Sequence, residues 1–143
     1  MRQDAGIEGL LSTVYLQLGE TCRQLGDLEK ARSPAEEGLR MAEKNNERPY
    51  EGMARLSLER ILGQLETPDI RKAEEFILQG IRLADELKMK PYCARAHFYL
   101  GELYVRAGQK EKVLERLTKA EAIFLEMGME YWLGEVRRIS PGL

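Results

Sequence analysis

The sequence predicts an all-α chain: three helical hairpins stacked in series and closed by a C-terminal capping helix. An internal repeat runs through the chain. Apolar residues recur at three- and four-residue spacing between breaks, the mark of helices with one buried face. No segment shows the period-two alternation of a strand with one exposed face. The 143 residues suit one domain, 1–143. With 43% apolar residues the chain has the means to build a core, so its 32% charged content does not signal disorder.

The repeat is read from residue offsets. Leu18-Gly19-Glu20 returns as Leu100-Gly101-Glu102, and 100 − 18 = 82; Gly26 and Gly108 share that offset. Arg48-Pro49-Tyr50 returns as Lys90-Pro91-Tyr92, and Leu58 as Leu100, both at 42. The first step is then 82 − 42 = 40, which is the distance from Leu18 to Leu58. Ala31, Ala73 and Val113 follow at steps of 42 and 40. The order of the steps reverses because the middle unit has about two extra residues near 66–70. The units are about 5–44, 48–88 and 91–127, followed by a cap at 130–139.

The first helix lies within Gly9–Gln24, with Leu11, Val14, Tyr15, Leu18 and Cys22 on its predicted core face. Gly26 supplies a left-handed helix end and Asp27 a cap for the next helix. That helix, about Leu28–Lys44, buries Leu28, Ala31, Ala35, Leu39 and Ala42. Pro34 falls inside it, removes one backbone bond, and predicts a kink or a cost of about 3 kcal/mol. The third helix carries Met53, Leu56, Ile61, Leu62 and Leu65. Thr67 and Pro68 are expected as N-cap and first residue of the fourth, which runs to about Leu87 and buries Ile70, Ala73, Ile77, Ile81 and Ala84. Tyr92–Ala107 and Lys110–Met127 form the third hairpin. The last helix opens on Tyr131-Trp132 and stops before Pro141-Gly142. A short helix pair cannot bury its own apolar face, so adjacent hairpins must share a core.

Several chemistries find no support. Cys22 and Cys93 read as small apolar residues rather than a disulfide. His97, the sole histidine, lacks the partners of a triad or metal site and reads as a packing residue. There is no phosphate-binding glycine loop, calcium loop or paired CxxC. Carboxylate pairs such as Glu74–Glu75 read as a solvated face. No enzyme activity, metal or cofactor is expected. The net charge of 22 − 24 = −2 argues against a nucleic-acid partner. No stretch approaches the roughly 20 apolar residues of a membrane span, and Met1-Arg2-Gln3-Asp4 does not open a signal peptide, so a cytoplasmic setting is expected.

The units resemble the tetratricopeptide repeat (TPR) family. The matching residues are Tyr15, Leu18-Gly19, Cys22, Gly26, Ala31, Ala35 and Gly38 in the first unit. They are Leu58, Glu59, Leu62, Ala73, Ile77 and Gly80 in the second, and His97, Leu100-Gly101, Tyr104, Gly108, Val113, Leu117 and Ala120 in the third. The resemblance implies a right-handed α-α superhelix. Gly19 and Gly101 would let the helices of a hairpin approach closely. Glu59 departs from that pattern and is expected to reach solvent or a basic partner in a looser middle hairpin, since an unpaired charge in a tight contact is costly. The period exceeds the usual TPR value of about 34. With Ala94–Gly108 and Ala120–Gly134, the long-period form is similar to the C-terminal TPR region of bacterial signalling proteins that join a nucleotide cyclase and an ATPase-like domain. That likeness leaves open that the chain is a piece of a longer protein.

The resemblance implies a concave groove made by the first helix of each hairpin. Its candidate protein-binding residues are Leu16, Glu20, Arg23, Leu56, Arg60, Arg95, Phe98, Glu102 and Arg106. Leu16, Leu56 and Phe98 form an apolar row for a partner helix or extended segment, with Arg95 and Arg106 selecting acidic residues. Glu20, Arg60 and Glu102 form a second row, which either meets a partner or is neutralised between neighbouring helices. The known carboxylate clamp of TPR grooves is not reproduced, because Leu16 and Glu20 occupy its positions. Tyr131 and Trp132 either pack the last helix or form a seam for homodimerisation. The expected function is a non-enzymatic protein-interaction module. The alternatives are the regulatory tail of a nucleotide cyclase and a self-associating scaffold.

Overall fold

The computed structural model describes the backbone of residues 2–140 and the side chains of residues 10–140. Pro141 and Gly142, read as the final stop, lie outside the described residues. Among these, seven helices follow one another: α1 Arg2–Gln24, α2 Leu28–Lys44, α3 Arg48–Gln64, α4 Ile70–Glu86, α5 Lys90–Arg106, α6 Lys110–Met127 and α7 Glu130–Ile139. There is no strand among the described residues.

One hydrogen-bonded turn makes five of the six linkers. Gly26, Asn46, Lys88, Gly108 and Gly128 take positive φ, from 55° to 84°. After each, the next amide donates to a carbonyl five residues back: Asp27 to Cys22, Glu47 to Ala42, Met89 to Ala84, Gln109 to Tyr104 and Met129 to Phe124, all at 2.8–3.0 Å. This is the Schellman ending, which satisfies carbonyls that a helix end leaves bare. The same donor residue then caps the following helix with ψ between 67° and 79°. Each of these linkers joins one helix to the next within two or three residues.

The sixth linker differs. Residues 65–69 contain no positive φ, and the Asp69 amide donates to the Leu62 carbonyl at 3.1 Å. At five residues it is two longer than the three-residue linkers, as the repeat arithmetic expects. Thr67 is not the cap. Asp69 fills that role, its carboxylate accepting the Lys72 amide at 3.2 Å, as Asp27 accepts that of Lys30. Thr67 and Pro68 stay in the linker. Pro34 does not end α2, which continues to Lys44.

The chain forms two compact units, residues 1–83 and 84–143. In the first, α1 packs on α2 and α2 on α3. Its core joins Ala31, Ala35 and Leu39 of α2 to Ala54, Leu58 and Ile61 of α3, with Leu16, Cys22 and Phe76 at its edge. Small residues allow the close approach: a Cβ on Gly19 would sit 3.3 Å from the backbone of Ala31 and of Ala35. In the second unit α5 packs on α6 and α6 on α7. Leu100, Leu103, Val113, Leu117, Phe124 and Val136 are buried there. A Cβ on Gly101 would meet Leu117 Cδ2 at 2.8 Å, so this glycine too holds two helices close.

Of the two alternatives expected for Glu59, solvent or a basic partner, burial excludes the first: Glu59 is 1% exposed. One sequence expectation needs correction. The face of α1 expected in the core is largely open: Leu11 is 40%, Val14 52% and Leu18 49% exposed. The reason is positional. Leu58 and Leu100 share the repeat position of Leu18 yet are 1% and 0% exposed. Leu58 is covered by Ala31, Ala35 and Leu39 from the hairpin before it. No hairpin precedes α1 among the described residues.

Candidate interaction surfaces

The groove residues assigned from the sequence fall into separate settings. In the first unit Arg23 bonds Glu20 at 2.6 Å, and Arg60 Nη1 lies 4.0 Å from the same carboxylate. The ion cluster ties α1 to α3. Burial pushes the Glu20 carboxyl up; the hydrogen bond from Arg23 and the charges of Arg23 and Arg60 outweigh it and hold the group below its ordinary value. Leu16 is half-buried over Gly38, whose missing Cβ leaves room for it: a Cβ there would meet Leu16 Cδ2 at 2.9 Å.

The apolar row is not an open surface, because Leu56 is 4% and Phe98 2% exposed. Phe98 belongs to an aromatic cluster centred on Trp132. That indole stacks on Phe124 at 5.7 Å and meets Phe98, Tyr99 and Tyr131 edge-on at 5.4–5.9 Å. The Arg95 guanidinium lies 5.3 Å from the Trp132 ring and 5.5 Å from that of Tyr92. Arg95 is thus held among aromatic faces in the second unit. Trp132 is half-buried and docks α7; Tyr131 remains 70% exposed. Glu102 is half-buried and Arg106 exposed.

The two strongest titration shifts lead away from reactivity. His97 is buried, and Arg116 Nη1 donates to its Nδ1 at 3.4 Å. Burial and the Arg116 charge lower its pKa to about 4, so the ring is neutral at physiological pH. Burial, together with Asp85, raises the Cys93 thiol to about 11. The thiolate needed for nucleophilic chemistry is therefore scarce. No cluster of three metal-binding side chains occurs among the described residues. No described helix is long and apolar enough to cross a membrane.

A cleft that the sequence reading missed opens in the first unit, between α2 and α4, with a volume of about 660 Å³. Its floor is Leu39, Leu58, Leu62 and Phe76. Its rim is charged. Along α2, Arg32 pairs with Glu36 at 2.9 Å, and Arg40 pairs with Glu37. Among the described residues, Glu29 and Lys72, also on the rim, have no ion-pair partner. A signal was available. Phe76 stands where the other units carry Pro34 (76 − 42) and Arg116 (76 + 40), so the middle unit alone offers an aromatic ring at that position.

No protein-family model and no curated protein matches this chain. The functional reading therefore rests on the surfaces themselves.

Proposed function

We propose that this chain is a non-enzymatic protein-interaction module of the tetratricopeptide type, its hairpins wound as a right-handed α-α superhelix, that grips a segment of a partner protein. The cleft between α2 and α4 carries this reading. An apolar floor inside a charged rim accepts the apolar side chains of an amphipathic helix or an extended segment, while the rim orients its polar residues. The paired ions along α2 keep the walls in place. Glu29 and Lys72 are the charges left to meet a partner.

The test is a helical-peptide library screened against the wild type and two variants. Ser33→Trp blocks the cleft, and Lys72→Glu reverses its free cation. Binders of the wild type should weaken at least about tenfold with the blocked cleft, the loss expected when an anchor pocket closes. Arg106→Glu, in the other unit, should leave them unchanged. Peptides that bind the Ser33→Trp variant as well as the wild type would refute the cleft as the binding site.

A further inference from the structure

The outward face of α1 is open and uncharged over residues 10–25. Between residues 10 and 25 nine residues are exposed: Leu10, Leu11, Thr13, Val14, Gln17, Leu18, Thr21, Gln24 and Leu25. None is charged, although 32% of the chain is. The two charges in this stretch, Glu20 and Arg23, bond to each other beside Arg60, and Gln24 at the edge of the face donates to Glu20 at 3.3 Å. Five of the nine are aliphatic, with Leu10 64% and Leu25 80% exposed. Singly exposed leucines are ordinary; a contiguous row of them is not.

Their spacing is specific. Leu11, Val14, Leu18, Thr21 and Leu25 alternate steps of three and four, the seam of a helix that packs along another helix. The seam reads almost alike in both directions, because Leu11 and Leu25 are each seven residues from Leu18. The flanking positions hold Gln17 and Gln24 rather than charges, so the face can meet itself without like-charge repulsion.

We infer that this face binds a second copy of the chain, with the two α1 helices antiparallel about Leu18. A two-fold axis near Leu18 places Leu11 of each copy against Leu25 of the other and sets the two helix dipoles antiparallel, which is favourable for helices side by side. The cover that Leu58 receives comes from the second helix of a hairpin; the second helix α6 is itself engaged, packing against α7, and so is not the cover proposed for α1. The fifteen helical residues 10–24, with Leu25 just beyond them, give a seam about 23 Å long, which is small for an interface and fits a dimer that dissociates on dilution.

Sedimentation equilibrium tests this on the full chain. The mass should rise from 16.4 kDa towards twice that over about 5–500 μM, the range expected of a small interface. Leu18→Glu should restore the single-copy mass without changing the helical circular dichroism, because Leu18 is half-exposed; Tyr131→Ala should dimerise like the wild type. In a Cys22→Ala background, oxidised Leu18→Cys should cross-link, Leu11→Cys alone should not, and Leu11→Cys with Leu25→Cys should. A single-copy mass throughout would overturn the proposal. So would a dimer indifferent to Leu18→Glu, cross-linking of Leu11→Cys alone, or a single-copy chain that binds phosphatidylglycerol vesicles through this face.

Discussion

Replacing Lys88 by glycine is expected to stabilise the second unit. Lys88 holds φ at 56° in the turn from α4 to α5. A residue with a Cβ incurs about 1–2 kcal/mol in that left-handed basin. Glycine escapes the clash but loses about 0.5–1 kcal/mol more backbone entropy on folding. The difference favours glycine by about 0.5–1 kcal/mol. Little packing is lost, because the Lys88 side chain is exposed. Both hydrogen bonds of the turn survive, since the Lys88 amide donates to Asp85 and that of Met89 to Ala84. Urea unfolding followed by the fluorescence of Trp132, the only tryptophan, reports this unit directly. Lys88→Ala is the control, removing the charge but keeping the Cβ. A glycine variant no more stable than the alanine variant would refute the argument. Gly108→Ala, in the equivalent turn after α5, should lower stability by the same net amount, about 0.5–1 kcal/mol.

Two further outcomes follow from the second unit. His97 is neutral in the folded chain down to about pH 4 and takes up a proton near 6.5 when unfolded, so acid favours the unfolded state throughout that window. The wild type should be unaffected above pH 6.5 and lose about 3 kcal/mol by pH 4, at roughly 1.4 kcal/mol per unit, and His97→Gln should remove that slope while keeping the acid loss due to Glu20. Trp132→Ala should destabilise the unit by about 3 kcal/mol, the low end for a large aromatic because this one is half-buried, and Trp132→Phe by less; far-ultraviolet circular dichroism reads both. A Trp132→Ala variant that melts with the wild type would show that α7 is not held by the aromatic cluster.

Helices and turns were legible in the sequence because their causes are local. Apolar spacing marks a helix, and Gly26 and its repeat match Gly108 mark left-handed ends; the structure adds Asn46, Lys88 and Gly128. Residue offsets even placed a longer loop near 66–70, and the longer linker is 65–69. Exposure was not legible, because it depends on what lies across the contact. Leu18, Leu58 and Leu100 occupy one repeat position, and only the first is open. Phe98 looked like a groove anchor because nothing near it in sequence shows that Trp132, 34 positions later (132 − 98), comes to lie against it. The cleft was missed because it is a gap between second helices, whereas the family resemblance directs attention to the first ones.

The turn that opens α7 has a consequence for how such a chain can vary. Glu47, Met89 and Met129 carry almost the same backbone angles, with φ near −90° and ψ of 73–79°. Each follows a left-handed residue and donates to the last turn of the helix before it. α7 is thus set in place as the first helix of another unit would be, with Met129 forty residues beyond Met89. The joints are interchangeable. A duplication or deletion whose ends fall on two of these residues would leave every turn chemically intact, so the chain can gain or lose whole hairpins without designing a new junction.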